Sequence, residues 1–364
     1  MGCVPDADDA ALDQAALDDA LPGLDLAAVT AWLAAHHPGL LAGPPTAALV
    51  AGGRSNLTYL LDDGTHRYVL RRPPLGHVLA TAHDMAREHR MIAALAPTAV
   101  PVPRALALCE DAGVTGAPFY LMTFVEGRIL RTRADLADLD GDTRHRLARA
   151  MIDVLADLHA VDPAAVGLAG AGRPEGFMAR QVRRWSAQLD QSRSRDLPGI
   201  DALRDELAAT VPAPSATGRT GGIVHGDFRL DNLVVAGPGE PDALAVRAVL
   251  DWEMATVGEP LADVGLLLAY WDGLGGRDNP VAGALGPSVG FPPGEVLARW
   301  YGERTGTDLA VLPWYAAFGY FKIAVILEGI HYRYTLGQTV GAGFDRIGAL
   351  VPELVALGRA TLSP

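Results

Sequence analysis

Short alternating apolar runs fill the first third of the chain, and longer runs with helical spacing fill the rest. Residues 1–25 are acidic and alanine-rich and read as a loose helical arm. Residues 26–37 read as a short helix, stopped by Pro38-Gly39. Three β-type runs follow at 48–53, 57–62 and 68–72, broken by Gly52-Gly53 and by Asp63-Gly64. Residues 81–95 return to helical spacing, with Met85, Ile92 and Leu95 on one side. Two further strands are predicted at 105–108 and 119–125. The pattern to this point predicts about five strands with one inserted helix.

Beyond Asp135 the spacing is mostly helical, with segments predicted at 143–159, 176–191 and 201–209. A Pro/Gly/Ser loop at 212–222 leads into short strands at 223–225, 232–235 and 247–251. An apolar helix is predicted at 261–271. Residues 272–294 are rich in Gly and Pro and read as a lid or mobile loop. Helices at 295–305, 310–334 and 344–361 complete the chain. The apolar run 311–327 is short for a membrane span and holds Lys322, so it reads as a buried core helix.

Composition narrows the class. The 364 residues are 49% hydrophobic and 20% charged, enough for two domains or one two-lobed domain without disulfide staples. Two cysteines, Cys3 and Cys109, exclude a disulfide scaffold and favour a reducing cytosol. The first fifty residues hold no Lys or Arg, which disfavours a secretory or transit peptide, and the expected setting is cytoplasmic. A net charge of -13 argues against nucleic acid as a partner. Lysine occurs once, at Lys322.

The most informative stretch is Ile223-Val-His-Gly-Asp-Phe-Arg-Leu-Asp-Asn-Leu-Val-Val235, followed by Val249-Leu-Asp-Trp-Glu253. It sets Asp227 and Asn232 in a polar turn between apolar strands and Asp251 at a strand end. Phosphoryl transfer needs such a set: one carboxylate to take the acceptor's proton, and an amide with a second carboxylate to hold Mg2+ at the phosphates. Competing motifs fare worse. Gly286-Pro-Ser-Val-Gly290 fits the hydrolase nucleophile-elbow pattern, but it lies in a Gly/Pro-rich loop instead of a strand-to-helix turn. No Walker A lysine or zinc-ligand spacing occurs. Asp138-Leu-Asp-Gly-Asp142 reads as an acidic turn before a helix.

His-Gly-Asp-x-x-x-x-Asn followed by Asp-Trp-Glu resembles the aminoglycoside phosphotransferase family over nearly the whole chain. Residues 67–76 and 318–337 are most similar to the kinase domain joined to acyl-CoA dehydrogenases and to its stand-alone bacterial relatives. The resemblance implies a bilobal protein-kinase-like α+β fold. After the acidic arm, a small β-rich N-lobe would span 26–124 and a larger helical C-lobe 125–364, with ATP expected between the lobes. Asp227 resembles the catalytic base, Arg229 a residue facing the γ-phosphate, and Asn232 and Asp251 the magnesium ligands. His225 would pack the catalytic loop. Asp263 would either anchor that loop through backbone N–H groups or cap a helix. Gly53, Ser55 and Asn56 resemble the turn covering the phosphates, and Thr123 and Val125 the adenine-reading hinge. Arg71 stands where kinases normally place a lysine, with Glu88 as its ion-pair partner. Arg72 competes for that role, although strand alternation points it to the opposite face.

A small-molecule hydroxyl acceptor is expected. The closer resemblance implies a hydroxyacyl-CoA or hydroxy acid, the broader family an aminoglycoside. A nucleotide-binding scaffold without activity is the alternative of another class, suggested by the arginine at position 71. Lys322, Glu328, His331 and Arg333 interrupt an apolar helix, and some of them are expected to face the acceptor.

Overall fold

The β-type runs near the start of the chain pair into one antiparallel sheet. The computed structural model describes residues 21–50, 56–75, 84–213, 221–237, 239–240, 242–275, 285–338 and 343–363. The strands are β1 (Thr46–Leu49), β2 (Leu57–Asp62), β3 (Arg67–Arg72), β4 (Ala105–Cys109) and β5 (Phe119–Thr123), in the order β1-β2-β3-β5-β4. The β2–β3 hairpin runs in register from Leu57↔Arg72 to Asp62↔Arg67. Its turn is stapled by Asp63, which accepts the amides of Ala42, Thr65 and His66 at 2.7–2.9 Å and the Tyr68 hydroxyl at 3.1 Å.

Helix α1 (Leu26–His36) starts at Asp25, whose carboxylate accepts the Ala28 amide at 2.9 Å. Its Val29 and Leu33 join Tyr59, Leu61, Tyr68, Leu70, Phe119 and Leu121 in one core. Strand alternation then sends Arg71 away from the side chains of Tyr68 and Leu70. It meets α2 (Met85–Leu95), which packs on β4 and β5. The helix predicted from residue 81 starts at Met85, where Asp84 caps it by accepting the Arg87 amide. Residues 81–83, and 51–53 of the first predicted strand, lie outside the described residues. This sheet and its two helices belong to one compact unit, Met1–Ala96 with Val102–Val125.

The second unit is Pro97–Pro101 with Glu126–Pro364. Its helices are α3 (Gly141–Ala160), α4 (Phe177–Ser192), α5 (Ile200–Ala209), α6 (Leu261–Gly273), α7 (Gly294–Thr305), α8 (Leu312–Thr335) and α9 (Leu350–Leu362). The acidic turn before α3 supplies its cap, Asp140, which accepts the Thr143 amide. Two short antiparallel pairs flank the polar motif: β6 (Gly222–Val224) with β9 (Thr256–Gly258), and β7 (Leu233–Val235) with β8 (Val246–Val249). β9 lies beyond the predicted strands.

Helix α8 is apolar around its whole circumference, and every residue from Trp314 to Val325 is buried. That is the composition of a core helix, and it packs against α4, α5, α6 and α9. Glycine permits the tightest crossing: a Cβ on Gly265 of α6 would lie 2.3 Å from the Tyr315 carbonyl carbon. No described helix is long and apolar enough to cross a membrane.

Candidate active site

The loop after β6 is built around a buried carboxylate. Asp263, in the first turn of α6, accepts the His225 amide at 2.6 Å and the Gly226 amide at 2.7 Å. His159 of α3 lies 3.2 Å from the same carboxylate and 2.8 Å from the Tyr301 hydroxyl through its other nitrogen. Burial alone would raise the Asp263 pKa, but His159, His225 and the Gly226 amide outweigh it and hold the carboxyl below its ordinary range. Of the two readings for Asp263, the loop anchor is the one observed. α6 begins at Pro260 with no side-chain cap.

His225 packs the loop from inside. Its Nδ1 accepts the Asp227 amide at 3.2 Å, and its Nε2 lies 2.9 Å from the Leu250 carbonyl. The neutral Nε2–H tautomer satisfies both contacts. Phe228 and Trp252 pack against the ring. Gly226 takes φ +85°, and a Cβ there would stand 2.9 Å from Met254.

Asp227 is therefore displayed from a rigid turn. One carboxylate oxygen, Oδ2, accepts from Arg229 at 3.1 Å and from the Asn232 amide nitrogen at 3.2 Å. The other oxygen has no partner among the described residues. Arg229 also lies 3.4 Å from Asp231 and 4.6 Å over the Tyr270 ring. Burial opposes its charge, but Asp227 and Asp231 outweigh burial and keep the guanidinium protonated. The Tyr270 hydroxyl is pushed up by burial first and by Asp227 second.

The pairing of β7 with β8 brings Asn232 beside Asp251, since the Leu250 amide donates to the Asn232 carbonyl at 2.8 Å. Asn232 spends its amide nitrogen on Asp227. Its side-chain oxygen, a hard ligand of the type magnesium prefers, stays uncommitted among the described residues. The predicted strand 247–251 stops at Val249 because Asp251 takes left-handed backbone angles, φ 65° and ψ 61°. Such a conformation in a non-glycine residue is uncommon and concentrates at functional sites. The donor types, one amide oxygen and one carboxylate carried on adjoining backbone, are those magnesium accepts alongside phosphates and water.

In the sheet unit, Arg71 and Glu88 form a buried ion pair. Arg72 turns to the other face and donates to the Gly23 and Thr115 carbonyls, so alternation decides between the two arginines. Tyr120 packs under the pair, and burial, then Glu88, raises its hydroxyl well above the ordinary value. Asn56 is buried at the entry to β2. Gly53 and Ser55 lie outside the described residues. The Thr123 amide is already bonded to the Arg104 carbonyl at 3.0 Å, whereas the Val125 amide has no partner among the described residues.

Three features escaped sequence reasoning. The loop is held from α8 as well, by Lys322, whose Nζ donates to the Gly226 carbonyl at 2.9 Å and lies 5.4 Å from the Trp185 ring centre. His159 joins the loop anchor from α3, and Tyr270 supplies the ring beneath Arg229. Glu328 is structural, accepting from Ser194 and Arg195. Ser288 sits in a single helical turn and donates to the Gly275 carbonyl, with no general base beside it among the described residues.

The model of the phosphotransferase enzyme family matches residues 46–286. Acyl-CoA dehydrogenase family member 10 of Mus musculus is 36% identical over 314 residues, 84% of this chain and 28% of that protein. Acyl-CoA dehydrogenase family member 11 of Homo sapiens is 33% identical over 319 residues, 86% of this chain and 39% of that protein. The chain thus spans well under half the length of these relatives. Among solved structures, a candidate aminoglycoside phosphotransferase from Ralstonia eutropha JMP134 is 35% identical, with TM-score 0.78 over 93% of this chain and 98% of that one. Aminoglycoside 2'-phosphotransferase-IIIa, solved with GDP, is 14% identical with TM-score 0.59 over 93% of this chain and 99% of that one, a likeness of fold.

Proposed function

We propose that the chain, which belongs to the phosphotransferase enzyme family and has the fold of aminoglycoside phosphotransferases, is an ATP-dependent kinase that phosphorylates a small hydroxyl-bearing acid or acyl thioester with Asp227 as the base. The observation that carries this reading is the state of the Asp227 carboxylate: one oxygen is pinned by Arg229 and Asn232, and the other is uncommitted among the described residues. A carboxylate so held accepts the acceptor's hydroxyl proton as the oxygen attacks the γ-phosphorus. The new P–O bond forms, the bond to the bridging oxygen breaks, and ADP leaves.

Within this proposal Asn232 and Asp251 hold magnesium, which when bound neutralises charge on the phosphates. Arg71, fixed by Glu88, donates to the α- and β-phosphates, with Gly53, Ser55 and Asn56 in the covering turn and Val125, two residues after Thr123, at the adenine. Arg229 stabilises charge as the phosphoryl group transfers. The hydroxyacyl-CoA or hydroxy acid acceptor is supported by the relatives named for acyl-CoA dehydrogenases. Arg229 pairs with Asp227, and Lys322 lies within electrostatic reach of both Asp227 and Arg184, a set of cations that suits an anionic acceptor better than a polycationic aminoglycoside. A cytoplasmic setting is proposed on the free, buried thiol of Cys109.

The test is incubation with Mg-ATP and a panel of 3-, 4- and 5-hydroxyacyl-CoAs, the matching acids and several aminoglycosides, read by mass spectrometry. A phosphorylated acyl-CoA or acid is expected from the native protein. None is expected from Asp227→Ala, which should still bind ATP. Phosphorylation of aminoglycosides alone would overturn the acceptor assignment, and full turnover by Asp227→Ala would overturn the base.

A further inference from the structure

The residue before the proposed base has both of its backbone polar groups held by buried side chains from different helices. The Gly226 N–H goes to Asp263 of α6, and the Gly226 C=O receives the ammonium of Lys322 of α8 at 2.9 Å. The C=O lies in the peptide plane that joins Gly226 to Asp227. Turning that plane would redirect the Asp227 backbone and carry its carboxylate with it. The Asp227 N–H on the other side of that plane is held by His225 at 3.2 Å, and Gly226 itself, as a glycine, does little to resist rotation. We propose that Lys322 is a positioning residue for phosphoryl transfer, locking the Gly226–Asp227 peptide plane so that the carboxylate of Asp227 faces the acceptor hydroxyl. The proposal rests on the reading of Asp227 as the base.

Two further observations support it. The contact costs stability and yet is built in: Lys322 is 7% exposed, in a helix otherwise apolar at its level, and an apolar residue would suit packing there. Its ammonium makes one hydrogen bond among the described residues, to this carbonyl, with the Trp185 ring beside it. The charged groups facing it are Arg184 from α4, Asp227 and Arg229 from the loop, and Asp263 from α6. Burial, the largest influence, lowers its pKa to about 8, opposed by Asp227 and Asp263 and assisted by Arg184 and Arg229. Charge on the ammonium, and with it the strength of the lock, is therefore lost as pH rises through that value.

Lys322 is the chain's single lysine, so one labelled residue reports without assignment. Protein carrying 13C at the lysine ε-carbon is titrated by NMR, with no substrate present. The expected midpoint is near 8, moving lower in Asp227→Asn, which removes an attracting carboxylate. In parallel, kcat for phosphate transfer is followed against pH. The native profile should fall on its alkaline side at the NMR midpoint. Lys322→Arg, which keeps its charge, should move that limb upward by a pH unit or more. Lys322→Met should lower kcat about 10–100-fold with the KM for ATP within about threefold, the signature of a misplaced base and not of lost nucleotide binding.

A titration midpoint above 10, an unmoved limb in Lys322→Arg, or native kcat in Lys322→Met would overturn the proposal. Should Lys322→Met fail to fold, the Arg variant and the titration decide. Failure of the functional reading is separately visible, as absence of transfer by the native protein to any member of the panel. In that event an unchanged midpoint in Asp227→Asn overturns the lock as well.

Discussion

The carboxylate of Asp263 accepts the amide of Gly226 at 2.7 Å, tying α6 to the residue that precedes the proposed base. The same carboxylate serves His225 and His159, so its negative charge is shared by three buried donors. Asp263→Asn keeps the shape, but its amide nitrogen replaces one acceptor with a donor. We expect a loss of about 3 kcal/mol in unfolding free energy, in line with breaking a buried charged hydrogen-bond set. Urea denaturation checks the stability. A fall in kcat larger than any rise in KM would show that the loop itself is displaced.

Arg71 and Glu88 are a buried pair, and each is costly without the other. Glu88→Ala should destabilise the sheet unit by about 3–5 kcal/mol, because it strands a guanidinium away from water. Arg71→Lys should cost less, since an ammonium keeps the charge but lacks the planar fork. Differential scanning calorimetry with ATP titration checks both. Weakened ATP binding in Arg71→Lys would mean that the site is shaped for arginine, whereas tighter binding would mean that arginine is a tolerated substitute.

Lys322 also predicts how stability depends on pH. Its folded pKa, about 8, lies below the ordinary 10.5. The unfolded chain therefore binds the proton more tightly, and stability rises as pH climbs between those values. The penalty present at pH 7 is of order 3 kcal/mol. Guanidinium unfolding from pH 7 to 10 should show the native protein gaining stability relative to Lys322→Met. A constant difference across that range would mean that the ammonium is not desolvated.

The left-handed backbone of Asp251 separates strain from chemistry. Asparagine tolerates that conformation and alanine does so poorly. Asp251→Asn should keep stability within about 0.5 kcal/mol, while Asp251→Ala should lose about 1 kcal/mol more from strain. Both should raise the magnesium concentration needed for half-maximal transfer, by tenfold or more. A magnesium requirement unchanged in Asp251→Asn would remove Asp251 from the metal site.

The parts of this site that lie close in sequence were the legible ones. Asp227, Arg229 and Asn232 fall within six residues, so their spacing alone builds one turn. Strand alternation was enough to separate Arg71 from Arg72, because a period of two leaves no third direction. Asp263 was legible as polar but ambiguous: the first turn of a helix suits a cap and an anchor equally, and only the fold shows which amides it reaches. Lys322 stood out as a lysine in an apolar helix, but nothing local named the carbonyl it reaches, and His159 had no local signal. Lys322 meets the loop across 96 residues of chain and His159 meets its anchor, Asp263, across 104, proximities created by helix packing. β9 was missed because three residues closing a strand pair carry too short a pattern to show a period.

The arginine at position 71 has a practical consequence. A nucleotide analogue bearing an acylating group on its phosphates needs a nucleophilic amine beside the phosphates to receive that group, the place of the usual strand lysine. In this chain Arg71 offers no amine, and the only ε-amine is that of Lys322, buried against Gly226 and Trp185. With Arg71 in the phosphate role proposed for it, chemical surveys that recognise kinases by a tagged lysine would pass over this protein. Variants of Arg71→Lys would enter the same surveys as newly visible members.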